Sequence, residues 1–365
     1  MSPKVGLLDW SGVSDLSDKS IDDLWKDLGS AEGREKAHIL DHLHGLSMSN
    51  EDFHDALAFA EQASTIYKDL GLISDSIYAQ VAMANALQLS GALDEAIAIY
   101  RDCCEAAEAI LDDNELATIW EYLGDSCNSN SKPLLAIEAF AQAEAINVTA
   151  KTSEDSARCA QKLGDVQGYL GLNDDAVCSY LRGCDYLIGR NDLPAMGTLQ
   201  DRISDVYFEM GRYEDAIDFA KKSLHIAFTC DCKLCLPQAH FRLGSALTGA
   251  GEYDSARLEL TAAETLFTNA GSPSGQAKVW LAIARLNLAV GEPGVRELAE
   301  RALTIFEALD WQQFVCEAKL LKAQTMVCDG DVSGARDLLL QVEQEAVSEG
   351  AIALADAARK QLANY

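Results

Sequence analysis

The chain is short of proline and short of positive charge. Six prolines in 365 residues leave little to interrupt helices. β-Branched residues do not gather in alternating runs, so half-buried strands find no support. Lys and Arg number 29 against 58 Asp and Glu, a formal charge of −29. Such a surface repels phosphate backbones and anionic lipid, which excludes nucleic acid and membrane as default partners. A basic or apolar protein segment fits better. No apolar run approaches the length of a membrane span. The opening MSPKVGLLDW lacks the basic flank and long apolar core of a signal peptide. The 11 cysteines form no regular disulfide framework, so a reducing, cytoplasmic setting is expected. No G-x-x-x-x-G-K-[ST], no strand-to-helix G-x-G-x-x-G and no G-x-S-x-G is present. No cofactor and no enzymatic activity are therefore expected. Paired carboxylates are so common on an acidic surface that they carry no weight as acid–base candidates.

What is there is Ala, Leu, Glu and Asp, all compatible with helices, arranged on a ruler. A two-residue mark reads Leu43-His44, Met83-Ala84, Leu123-Gly124, Leu163-Gly164, Ile203-Ser204, Leu243-Gly244 and Ile283-Ala284, 40 residues apart each time; Lys322-Ala323 follows after 39. Turn glycines keep the same step at Gly91, Gly171, Gly211, Gly251, Gly291 and Gly330, with Ser131 standing in once. A third mark is Ala56, Ala96, Ala136, Ala176, Ala216, Ala256 and Ala335. Repeat seven breaks it, because Glu292-Pro293-Gly294 replaces the usual turn. The pattern predicts pairs of antiparallel helices of roughly 15–18 residues joined by short turns. Small residues at the eighth and twentieth positions let two helices approach. Tyr100, Phe140, Tyr180 and Leu260 fill the space beside them. One such pair cannot bury its own apolar face, so the units must stack.

At Trp120, Leu123, Gly124, Cys127, Ala136, Phe140 and Ala143 the chain resembles the tetratricopeptide repeat (TPR) family, W-x2-L-G-x2-Y followed by A-x3-F-x2-A, with only the tyrosine replaced. The 40-residue unit is similar to the long repeats of kinesin light chain, of spindle-orientation adaptors and of Rap-type bacterial regulators. The resemblance implies an all-α, right-handed solenoid whose first helices line a concave groove for a peptide. The expected organisation is a flexible segment 1–16, a capping helix within 17–36, eight repeats over 37–349 (37–76, 77–116, 117–156, 157–196, 197–236, 237–276, 277–315 and 316–349) and a capping helix in 350–365. In the first helix predicted to begin near Ser17 or Asp18, the residues Ile21, Leu24, Trp25 and Leu28 form one apolar stripe.

In the family's frame, positions 2, 5, 6, 9 and 12 of each first helix face the groove. This implies a binding surface of Asn85, Glu121, Tyr122, Asp125, Asn128, Arg158, Lys162, Asp165, Asp201, Arg202, Asp205, Arg242 and Arg285. An acidic row at position 9 runs beside a basic row at position 6. Within a helix, Lys162–Asp165 and Arg202–Asp205 are spaced to pair. The rows read either as a self-neutralised polar surface or as a ladder gripping a peptide. A chaperone-tail clamp of the kind found in some TPR proteins is only partly matched, with Val81 and Tyr122 where lysine and asparagine are wanted.

Three further features stand outside the repeat logic. His38 and His42 are one turn apart, with Asp41 and His44 nearby, but Ile39 rules out H-E-x-x-H. Cys230, Cys232 and Cys235, with His225, have spacing that zinc could use, although a fourth ligand is uncertain and plain loop packing explains the cysteines as well. The N-terminal Leu7–Trp10 could act as a lid or tether. The sequence thus supports a binding scaffold first, a peptide-responsive regulator second, and a metal protein or enzyme third.

Overall fold

The computed structural model describes residues 21–348 and 351–363. The segment 1–16, the cap at Ser17 or Asp18, and Leu7–Trp10 lie outside the described residues. Among those described, every regular element is a helix. α1 (Ile21–Leu28) precedes the pairs α2 (Gly33–Ser49)/α3 (Phe53–Asp69), α4 (Ile73–Ser90)/α5 (Leu93–Ala107), α6 (Asp113–Ser129)/α7 (Pro133–Ala150) and α8 (Ser153–Tyr169)/α9 (Asn173–Leu187). Then follow α10 (Leu193–Glu209)/α11 (Tyr213–Thr229), α12 (Cys235–Ala250)/α13 (Tyr253–Asn269), α14 (Pro273–Val290)/α15 (Val295–Ala308), α16 (Gln312–Cys328)/α17 (Val332–Ser348) and α18 (Ile352–Leu362). The chain divides into two compact units, one ending at Gly189 and the other beginning at Arg190. Within each unit every helix packs on the next one in sequence.

Except for α12, which begins at Cys235 against 237, the first helix of each pair begins about four residues before the expected repeat start, for example Gly33 against 37, Asp113 against 117 and Ser153 against 157. The long repeat places an extra turn at the front of its first helix. Side-chain or backbone caps start several of these helices. Asp112 and Glu115 form a reciprocal capping box at α6, and Asp192 and Ser272 accept from backbone N–H groups of α10 and α14.

Turns end the first helices where the ruler put glycine. Gly91, Gly251 and Gly291 adopt φ of 88°, 83° and 74°, a left-handed conformation that glycine adopts without steric penalty. Ser131 holds φ 52° without that freedom. The eighth position explains the close approach of paired helices. A Cβ on Gly164 would lie 2.6 Å from the Tyr180 ring, and one on Gly244 would lie 2.7 Å from Leu260. Where the residue is polar it bonds across the same gap. His44 Nδ1 donates to the Ala56 carbonyl at 2.9 Å, and Ser204 Oγ donates to the Ala216 carbonyl at 2.9 Å. The alanines of the third mark are fully buried. In repeat seven, Gly294 at φ 91° restarts the chain, and Val295, Ala299 and Ala302 supply the buried face instead.

At the start of the array, Leu24 enters the core with Leu28 packed against it, as the stripe predicts. Trp25 stays half exposed, its ring edge-on to Phe59 at 5.6 Å. None of the helices among the described residues is long and apolar enough to cross a membrane.

Candidate functional site

In the first unit, α6 and α8 bring the charged rows together. Glu121 is 6% exposed and receives a two-pronged grip from Arg158, Nε to Oε1 and Nη2 to Oε2, each 2.8 Å. Lys162 Nζ reaches both Glu121, at 2.8 Å, and Asp125, at 2.6 Å. Arg158 also pairs with Asp155 at 2.7 Å. Burial alone would raise the Glu121 carboxyl, but the Arg158 hydrogen bonds and the Lys162 and Arg158 charges outweigh it and hold the group below its usual range. Asp125 goes the other way. Its burial exceeds what its share of Lys162 returns, and its carboxyl is raised. Lys162 thus bridges the two carboxylates, Glu121 and Asp125, from the following first helix.

The second unit repeats the design. Arg242 Nε donates to Asp205 at 2.8 and 3.1 Å, and its Nη1 donates to Asp201 at 3.0 Å. Arg285 Nη2 donates to Glu317 at 2.7 Å. These contacts correct the pairing expected within single helices. Lys162 goes to the preceding first helix rather than to Asp165, and Asp205 takes Arg242 of the following one. The rungs Glu121–Arg158, Asp125–Lys162 and Asp205–Arg242 all span 37 residues. Neighbouring first helices lie side by side, and the long Lys and Arg stems bridge them where a within-helix partner would need a bent side chain. Asp165 accepts from the Tyr180 hydroxyl at 2.7 Å, and Asn85 accepts from Tyr100 at 2.6 Å. The Tyr122 ring lies 6.0 Å from that of Tyr100. Arg202 is exposed on α10. The charged surface is thus largely engaged in joining repeats.

Beside the first-unit ladder lies an open cleft of about 340 Å³, lined by Asn128, Ser131, Pro133, Asp165, Val166 and Tyr169. It unites two residues predicted for the surface, Asn128 and Asp165, with one that the sequence reading did not single out. Tyr169 is 77% exposed, although it ends α8 on the same helix as Asp165. An aromatic one turn beyond the position-9 acid was the available signal.

Other features were also missed. Arg182 grips Glu144 at 2.9 and 3.0 Å, a charged rung between the second helices α7 and α9, with Tyr186 donating to the same Glu144 at 3.0 Å. In the second unit, the Lys278 ammonium stands over the Trp311 and Phe314 rings at 5.2 and 4.9 Å. Burial, then the Arg242 charge, lowers its pKa.

The metal alternatives change. Among the described residues no group of three or more His, Cys, Asp and Glu is placed to hold an ion. His38 is 3.3 Å from the Tyr67 hydroxyl and accepts from Arg34 at 3.1 Å, while His44 turns inward to its carbonyl. Cys232 and Cys235 are joined in a disulfide, so neither offers a thiolate to zinc.

Residues 199–230, most of α10 and all of α11, match the tetratricopeptide repeat model. No curated protein matches the chain. Similar solved structures include the apo form of RapI, at 13% identity and TM-score 0.62, covering 79% of this chain and 99% of that one. Aspartyl phosphate phosphatase F from Bacillus subtilis is 15% identical with TM-score 0.61, covering 89% and 87%. A Rap protein complexed with competence and sporulation factor is 12% identical with TM-score 0.51, covering 91% and 97%. At such identities the likeness is one of fold. Among the described residues the fold is all-α, built of TPR-like helix pairs.

Proposed function

We propose that the chain is a non-enzymatic scaffold that binds a protein or peptide segment along its first helices and seats a basic side chain in the first-unit cleft. The cleft carries the reading. It sets the Asp165 carboxylate and the Asn128 amide beside the exposed face of Tyr169. A guanidinium or ammonium there meets a π face and a negative charge together, while an asparagine amide can hold a peptide group. The charge of −29 favours the same partners through long-range attraction. The test is selection from an immobilised library of ten-residue peptides, followed by calorimetry on the winners. Peptides with Arg or Lys should be enriched, and Asp165→Asn and Tyr169→Ala should each weaken them about tenfold, or ~1.4 kcal/mol. Asp254→Asn, on the exposed start of α13, should not. Enrichment of acidic peptides, or affinities indifferent to both cleft variants, would overturn the proposal.

A second reading rests on the comparisons. Two of the similar folds are Rap structures solved with a bound peptide or factor, one with competence and sporulation factor and one with the Phr* peptide. On this second reading a selected peptide compacts the chain, and X-ray scattering would show it. A scaffold would bind it with an unchanged profile.

A further inference from the structure

We propose that Cys232 and Cys235 form a thiol–disulfide exchange site, reduced by small thiols and re-formed by small disulfides. The site occupies the five-residue connection 230–234 and the first residue of α12. The two sulfurs are bonded to each other. The backbone N–H of Cys235 donates to Cys232 Sγ at 3.2 Å, so a helix-start donor already faces the sulfur that would carry negative charge once the bond opens. Both cysteines are half-buried, and Leu234 between them is 81% exposed. Phe228, two residues before Cys230, is also exposed, so apolar surface open to solvent flanks the connection.

Cys178 and Cys328 are exposed, but each is a free thiol rather than part of a bonded pair. Cys103, Cys104, Cys127 and Cys159 are buried, and burial pushes their thiols up, that of Cys103 to about 12. They stay protonated and enclosed. Cys230 is half-buried, and its thiol donates to the Ala227 carbonyl at 3.7 Å. A solvent-reachable disulfide is the labile kind, whereas an enclosed one is structural.

The exchange balances with an external thiol as the only co-reactant. A thiolate attacks Cys235 Sγ, and the S–S bond breaks with its electron pair on Cys232 Sγ, which the Cys235 N–H stabilises until a proton arrives from water. A second thiolate attacks the external sulfur of the mixed disulfide. Cys235 leaves as thiolate and is protonated, and the two external thiols depart as their disulfide. Two electrons and two protons have passed to the pair. Re-formation by a small disulfide is the reverse.

The test equilibrates the full chain in mixtures of reduced and oxidised glutathione, quenches it in acid, and reads each cysteine by differential alkylation and peptide mass spectrometry. Cys232 and Cys235 should pass from reduced to oxidised together as the mixture becomes oxidising, while Cys103 and Cys159 stay reduced. In Cys232→Ser, Cys235 should accumulate as its glutathione mixed disulfide, with the helical circular-dichroism signal unchanged. This pair staying reduced in oxidised glutathione alone would overturn the proposal. So would a pair that stays oxidised in excess reduced glutathione, or one whose members titrate independently like the exposed Cys178. The wild-type titration decides the matter even if the variant fails to fold.

Discussion

Gly124→Ala should destabilise the first unit, although alanine is the better helix former. In an exposed helix interior this change stabilises by roughly 1 kcal/mol. At Gly124 the new Cβ would fall 2.5, 2.7 and 2.9 Å from three atoms of the Phe140 ring. Real Cβ contacts are not that short, so something must move. Phe140 is 1% exposed in the core shared by α4 to α8, so the ring has nowhere to turn. Either it leaves its rotamer or α6 and α7 separate. Overpacking of this kind costs about 1–3 kcal/mol. After the propensity gain, the net loss is on the order of 1 kcal/mol. Gly168→Ala is the matched control. Its Cβ would meet only the Ala176 methyl, at the ordinary distance of 3.9 Å, so α8 should gain stability. Urea denaturation of both variants, with hydrogen exchange read separately over α6 and α7, gives the comparison. Global midpoints alone do not suffice, because a repeat array need not unfold in one step. Phe140→Leu in the Gly124→Ala background should recover part of the loss, giving a favourable coupling in the double-mutant cycle. If Gly124→Ala and Gly168→Ala both stabilise, the close approach of α6 and α7 is not what the small residue serves.

Three other outcomes follow from the charges. Glu121→Gln should destabilise by about 1–2 kcal/mol, between the values for an exposed pair and a fully buried one, because Arg158 is half exposed. Since the folded Glu121 carboxyl is depressed, wild type should also lose that contribution as pH falls below about 4.5, and the variant should lose less there, as urea titrations can show. Asp41 has the opposite sign: burial raises it to about 7, against the lowering hydrogen bond from Tyr67, with Asp75, His38 and Arg34 as its charged or titratable neighbours. Its folded form keeps a proton that the unfolded chain releases near 3.8, so stability should fall as pH rises from about 4 to about 7. Asp41→Asn should flatten that fall, measured by exchange over α2 and α3. Half-buried His38 and buried His44, both lowered by burial, act separately, costing stability as pH drops below 6.5. Lys278, lowered by burial and by Arg242, should acylate at neutral pH faster than exposed Lys221 in timed labelling with mass spectrometry, and equal rates would contradict its placement over Trp311 and Phe314.

Backbone conformation and close approach were legible in the sequence because each demands a residue type. Left-handed turns favour glycine, so the glycine ruler marked helix ends. Paired helices at contact need something small at one position and something large opposite, and Gly164 with Tyr180 shows both halves. The extra leading turn of most first helices was not legible, because Ala, Asp and Glu before the repeat mark suit a helix or its cap equally. The charged residues were identified, but not their partners. Whether Lys162 meets Asp165 three residues on or Asp125 on the neighbouring helix depends on the spacing between helices, which no residue type encodes. Tyr169 escaped notice because an exposed tyrosine at a helix end has no pattern to violate. The spacing of Cys230, Cys232 and Cys235 was visible, but spacing alone does not distinguish a metal site from a loop or from a bonded pair.

The ladder changes what the groove residues can be asked to do. Glu121, Arg158 and Lys162 already use their charges on one another, and Asp201, Asp205 and Arg242 do the same in the second unit. A ligand that took one of these groups would have to replace its present partner, leaving the other charge half-buried and unpaired, at a cost comparable to what the new contact returns. Binding is therefore favoured where a polar group lies beside open volume rather than inside a closed pair. Asn128 and Tyr169 line open volume of that kind at the first-unit cleft. The ladder's own contribution is upstream of binding: by fixing each first helix against the next, it holds the cleft walls contributed by α6 and α8 at one separation, so that a partner does not have to order them.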